Sequence, residues 1–151
     1  MKLHKDILNN KERLELLRFV KTKVMNLGDT FPGLQTKPNL HTYKEMNVLL
    51  DRTKKYYAGY IIDKCWANYS IGDYLSWHTH PNHVSQSMVY FLQNPNNMGP
   101  FFKENKLRIR VTRCPENSLI LFSAQLQHSV PCHLEAERYS IAFDLVATKS
   151  D

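Results

Sequence analysis

From Tyr60 onward the chain is written in short β-rich runs: YIIDKCWANYS, DYLSWHTH, SQSMVYFLQ, LRIRVT, SLILFSA, QHSVPC and RYSIAFDLVA, parted by Gly, Pro and Asn turns. β-Branched and aromatic residues suit the half-buried, pleated surface of a strand. Seven such runs at close spacing point to a β-sandwich or barrel of jelly-roll type. The one long polar connection, NPNNMGPFFKEN from Asn94 to Asn105, reads as a mobile loop beside whatever the barrel holds.

The residues before Tyr60 read differently. Asn10 is placed to cap a helix over 11–27, where Leu14, Leu17, Val20, Val24 and Leu27 recur at three- and four-residue spacing before Gly28 stops it. Thr42 and Glu45 form a capping-box pattern for a second helix reaching about Tyr57, with Met46, Leu49 and Leu50 on its inner face. Helices first and strands afterwards imply an α+β fold: one domain over 1–151, with 1–58 a helical scaffold packed outside one sheet and 59–148 the jelly-roll core.

Composition narrows the classes. Hydrophobic content of 42% with 11% aromatics argues against disorder. No apolar run approaches the roughly 20 residues of a membrane span, and the lysine-rich start lacks the apolar centre of a signal peptide, so a cytoplasmic protein is expected. Cys65, Cys114 and Cys132 are odd in number and widely spaced, which suggests buried thiols and neither a disulfide framework nor a zinc ribbon. The net charge of +6 comes from scattered residues; it suits a solvated basic surface better than a dedicated nucleic-acid site.

The stretch LSWHTHPNHVSQS holds three of the seven histidines, His78, His80 and His83. In a strand, residues two apart share a face, so His78 and His80 project together with Trp77 and Thr79 on the other side. Such a pair is a ready bidentate ligand for iron, zinc, copper or nickel, but it binds weakly without a third donor. His128, after the run SLILF, is the best candidate, with His133 as a second. His83 reads as a turn residue. Ten residues beyond His128, Arg138 and Ser140 share a face of the last run; a guanidinium and a hydroxyl there can hold a small carboxylate, for which Arg is better shaped than Lys. The plainer reading of Arg138 alone is a strand-end surface ion pair.

The order NYSIGDY, WHTHP, SMVYFL, NP, G, LILFSAQLQHSVP and ERYSIAFD resembles the iron(II)- and 2-oxoglutarate-dependent oxygenases, closest to small prolyl-hydroxylase-like members of bacteria and phages. Their double-stranded β-helix, a jelly-roll of cupin-like form, carries an HxD motif, a distal His and then an Arg. Here the gaps are 48 residues from His80 to His128 and 10 from His128 to Arg138. The resemblance spans roughly 60–146. It implies iron(II) as metal, 2-oxoglutarate as cosubstrate, O2 as oxidant, and His78, His80 and His128 as ligands. It also implies Arg138, supported by Ser140, as the group that pairs with the far carboxylate of 2-oxoglutarate. Tyr69 resembles a tyrosine that donates to the cosubstrate, and Tyr90 is a candidate for the cavity wall; for both, a core aromatic is an equal alternative.

His80 stands where most of that family has Asp or Glu, so the ligand set would be three neutral imidazoles. Three readings follow: a working hydroxylase, a site open to halide, or one that works differently or not at all. Two alternatives lie outside the 2-oxoglutarate class. One is a three-histidine cupin-type dioxygenase in which Arg138 binds the substrate's own carboxylate. The other is a non-catalytic jelly-roll that binds a metal or ligand. The substrate, whether a peptide side chain, an amino acid or a nucleotide, is open, and so is the oligomeric state, because nothing matched before residue 59 speaks to either.

Overall fold

Alternation along the last run organises the molecule. In the computed structural model, which describes residues 1–27, 32–72, 75–130 and 136–148, that run is a central strand of the larger of two antiparallel sheets. In chain order the strands are β1 (Lys2–His4), β2 (Leu34–Gln35), β3 (Tyr60–Ser70), β4 (Leu75–His78), β5 (Gln86–Gln93), β6 (Met98–Asn105), β7 (Arg108–Arg113), β8 (Leu119–Ser123), β9 (His128–Val130) and β10 (Arg138–Ala147). The α-helices are α1 (Asn10–Lys21) and α2 (Asn47–Thr53). The larger sheet runs β1-β8-β5-β10-β3-β2 and the smaller β4-β9-β6-β7. This is the jelly-roll, double-stranded β-helix expected from the strand runs.

The larger sheet has two apolar faces with different tasks. Met88, Tyr90 and Leu92 of β5, Cys65 and Ala67 of β3, and Tyr139, Ile141, Phe143 and Leu145 of β10 pack with Leu16, Leu17 and Val20 of α1 and Leu49 of α2. The side chains between them, Ser87, Val89 and Phe91 on β5 and Arg138, Ser140 and Ala142 on β10, line a cavity between the sheets. Each fully buried Leu, Val or Met on the helix side contributes roughly 1.5–3 kcal/mol, so the helices stabilise the sheet while leaving its other face for the site.

The helices are shorter than their periodicity suggests. Asn9, not Asn10, caps α1: its side chain accepts from the Glu12 amide at 2.8 Å while the Asn9 amide donates to the Glu12 carboxylate at 3.0 Å. The helix ends at Lys21, where the Thr22 hydroxyl donates to the Phe19 carbonyl. Met25 then pairs with Gln35 as an extended residue, so Val24 and Leu27 continue the spacing without continuing the helix. Glu45 does not complete a capping box with Thr42. The Thr42 hydroxyl instead donates back to the Asn39 carbonyl at 2.7 Å, closing a 3-10 turn, and α2 begins only at Asn47. The expected stop at Gly28, the candidate ligand His133 and Cys132 lie outside the described residues.

Two further corrections concern the sheets. Residues 98–105 form β6, paired with β7 and β9, and only Asn94 to Asn97 turn. Gly99 and Pro100 hid this strand, because Pro donates nothing to a ladder, and the β6–β7 pairing is irregular there, between Met98 and Phe101. The amino-terminal segment is also more than helix: β1 and β2 are the two edges of the larger sheet.

Asn117 ties this segment to the sheet. Its side chain accepts from the Leu8 amide at 3.0 Å and from the Tyr90 hydroxyl at 2.6 Å, and donates to the Leu8 carbonyl at 2.8 Å. Its φ of 67° is one that Gly also adopts, so Asn117→Gly removes these bonds without backbone strain. Leaving the buried Tyr90 hydroxyl unpartnered is expected to lower stability by roughly 2–4 kcal/mol, measured as a fall in the urea midpoint at unchanged slope.

Candidate metal centre and cavity

β4 and β9 lie side by side with His78 directly opposite His128. Directly opposed residues share a face, so these two rings meet, their centroids 4.2 Å apart. His80 lies two residues on, beyond the end of β4, where the following Pro81 favours extended backbone. Its amide donates to the Ala124 carbonyl at 3.1 Å, and its ring stacks on His128 at 5.1 Å. One donor nitrogen from each of the three histidines lies within 4.8 Å of the others. His83 stays out of the cluster and pairs with Asp63 at the surface.

The hydrogen bonds determine which nitrogens are free. His78 Nδ1 lies 2.8 Å from the Ser76 carbonyl and His128 Nδ1 2.8 Å from the Leu126 carbonyl. A carbonyl only accepts, so both Nδ1 atoms carry the proton and both Nε2 atoms present a lone pair. His80 Nδ1 lies 2.6 Å from the Asp144 carboxylate, which leaves Nε2 as its cavity atom too. His80 Nε2 and His128 Nε2 are 3.3 Å apart. Two ligands on one ion, each at about 2.1 Å, stand roughly 3 Å apart. One ion on His78, His80 and His128 would use all three lone pairs at once. The donor set therefore fits a divalent transition metal that prefers imidazole.

The cavity beyond the histidines measures about 510 Å³. Arg138 and Ser140 line it on β10, with Phe91, Phe122, Val130 and Pro100 as apolar wall. Burial pushes Arg138 below the ordinary range of a guanidinium, and among the described residues no carboxylate lies within ion-pair distance of it. Among the described residues no Asp or Glu lines the cavity. Its described walls thus present one permanent cation and three metal donors, and the one carboxylate against them, Asp144, meets His80 at Nδ1. Along β3, Trp66 stands 6.3 Å from His80, and Asn68, opposite Ser140, accepts from Gln35 at 2.7 Å; all three line the cavity.

The four expected residues His78, His80, His128 and Arg138 meet in one cavity, and Ser140 sits beside them. Tyr69 and Tyr90 do not line it. Tyr69 is opposite Tyr139 and Tyr90 opposite Ile141, both on the helix side of the sheet. There the Tyr69 hydroxyl donates to Glu137 and Tyr90 to Asn117. Asp144 was not anticipated. Its signal was parity: positions 138, 140, 142 and 144 share one face of β10.

No protein-family model and no curated protein sequence matches the chain. Solved structures do. HygX from Streptomyces hygroscopicus, with nickel and 2-oxoglutarate bound, is 12% identical with a TM-score of 0.77, over 97% of this chain and 82% of that one. A 2OG-Fe(II) oxygenase-family oxidoreductase from Burkholderia pseudomallei is 14% identical, TM-score 0.75, over 95% and 82%. The viral collagen prolyl hydroxylase of Paramecium Bursaria Chlorella virus-1, in its 2OG complex, is 12% identical, TM-score 0.70, over 97% and 96%. At these identities the likeness is one of fold. Among the described residues no helix is long and apolar enough to cross a membrane.

Burial pushes His128 down to about 4 and lowers His78 as well. An unfolded histidine takes its proton near 6.5. Between those values the unfolded state binds more protons, so the metal-free protein loses stability as pH falls from about 6.5 towards 4, by roughly 3 kcal/mol from His128. Urea midpoints of wild type across that range should fall more steeply than those of His128→Leu; parallel curves would contradict the assignment.

Proposed function

We propose that the protein is an iron(II)- and 2-oxoglutarate-dependent oxygenase that hydroxylates a C–H bond of its substrate. The observation that carries this reading is the pairing, in one cavity, of three converging imidazole nitrogens with a buried guanidinium that has no counter-ion among the described residues. A keto-acid with a carboxylate at its far end complements both. The likeness of fold to structures with 2-oxoglutarate bound supports it.

Iron(II) on His78, His80 and His128 would supply the redox chemistry, in which O2 and 2-oxoglutarate yield succinate, CO2 and one oxygen atom for the substrate. The chain's own part is positional. Arg138, on the same strand as Ser140, receives the far carboxylate bidentately, and its burial strengthens that pairing. Phe91, Phe122 and Val130 keep the space between guanidinium and histidines apolar, which excludes water from the reacting centre. Trp66 beside His80 and the Gln35–Asn68 pair beside Ser140 form an uncharged wall, against which the substrate would rest.

Adding 2-oxoglutarate to the anaerobic iron(II) protein should produce a visible metal-to-ligand charge-transfer band, and O2 should then release succinate. Arg138→Ala should raise the 2-oxoglutarate concentration needed for the band by roughly 100-fold, the cost of an unpaired buried charge, with iron affinity unchanged. No band and no succinate would contradict the proposal. The three-imidazole set would then favour a dioxygenase that needs no 2-oxoglutarate, in which Arg138 takes the substrate's own carboxylate.

A further inference from the structure

A divalent ion on three neutral imidazoles brings two positive charges into a cavity already lined by Arg138 and, among the described residues, by no carboxylate. Uncompensated charge in such surroundings is costly. Among the described residues one carboxylate meets the histidine cluster. Asp144 stands on the cavity face of β10, where the β10–β3 register shifts between Asp144 and Leu145. Its side chain is 5% exposed, and His80 is its one ion-pair partner among the described residues. The contact, 2.6 Å from His80 Nδ1, is short even for a charge-assisted hydrogen bond. His78 and His128 rest instead on backbone carbonyls at 2.8 Å, which carry no net charge.

His80 is also the ligand with the least backbone support. β4 ends at His78, and the His80 main chain is held by its amide bond to Ala124. A carboxylate on the outer nitrogen of a ligating histidine fixes the ring's tautomer and orientation and raises the basicity of the inner nitrogen. We propose that Asp144 is a positioning residue of the metal centre. Through the His80 ring it supplies the unit of negative charge that the three imidazoles lack, and it sets the plane in which His80 Nε2 meets the ion. The inference rests on reading the three histidines as metal ligands.

Cobalt(II), a coloured substitute for iron(II), tests both layers. Wild type is expected to bind it with visible d–d bands. Asp144→Asn keeps an acceptor for Nδ1 but removes the charge, and should weaken binding by 10- to 100-fold with unchanged far-UV circular dichroism. In a His80→Gln background the same change should alter affinity by less than about twofold, since the charge then has no ring to act through. Asp144→Asn binding cobalt as tightly as wild type would overturn the inference and leave the metal reading intact. So would an equal loss in both backgrounds. Wild type that binds no cobalt would overturn both. The unmutated zinc(II) protein gives a second test that is independent of how the variants fold. By nitrogen–proton NMR, His80 should carry its proton on Nδ1, with a resonance well downfield of those of His78 and His128. A His80 bound through Nδ1, or a resonance no further downfield, would overturn the inference.

Discussion

The register of β10 between β3 and β5 decides which side chains meet the helices and which meet the cavity. Every second residue of three adjacent strands follows that choice. With Ile141 opposite Tyr90 and Ala142 opposite Val89, the apolar set packs under α1 and α2, and Arg138, Ser140, Ala142 and Asp144 turn to the other side. A slip of one residue would exchange the two faces, placing Tyr139 and Phe143 in the cavity and a guanidinium under the helices. The helix-side core resists that slip, since Met88, Tyr90, Ile141, Phe143 and Leu145 would all be displaced together. The amino-terminal part of the chain thus holds the site in place without contributing much to it; among its described residues, Gln35 on the edge strand β2 is the one in the cavity wall.

The second sheet contributes the complementary half. β4 and β9 hold His78 and His128 opposite one another, while Phe122, from β8 of the larger sheet, packs edge-on against the His128 ring at 4.9 Å. Burial then does electrostatic work of two kinds. It pushes His128 down to about 4, so that its lone pair is available well into acid, and lowers His78 in the same direction; it also strips solvent from Arg138 so that an anion gains more by meeting it. The histidine cluster is consequently asymmetric: two rings are aimed by backbone carbonyls and the third by a carboxylate.

Much of this was legible from residue spacing. Strand period two brings His78 and His80 to one side, and the same rule joins Arg138 to Ser140. The tyrosines were not legible in this way. Tyr69 and Tyr90 are aromatic, inside strands and close in sequence to the motif, yet their face depends on pairing with Tyr139 and Ile141, and register between distant strands leaves no local trace. Asp144 was within reach of the parity rule but reads as one polar residue inside an apolar run, and its partner lies 64 positions away. β6 was missed because Gly99 and Pro100 look like a turn, although the strand tolerates them where its ladder to β7 is broken. The helices were overestimated because apolar spacing continues past Thr22 and before Asn47, where hydroxyl-to-carbonyl bonds close the chain into tighter turns.

In the proposed oxygenase, three histidine Nε2 atoms and Arg138 bracket one keto-acid. The most direct measurement is an anaerobic crystal structure of the protein with manganese(II) and 2-oxoglutarate. The expected result is one ion on His78, His80 and His128, all through Nε2, with the far carboxylate of 2-oxoglutarate on Arg138. An ion held by His78 and His128 without His80, or 2-oxoglutarate bound away from Arg138, would contradict it.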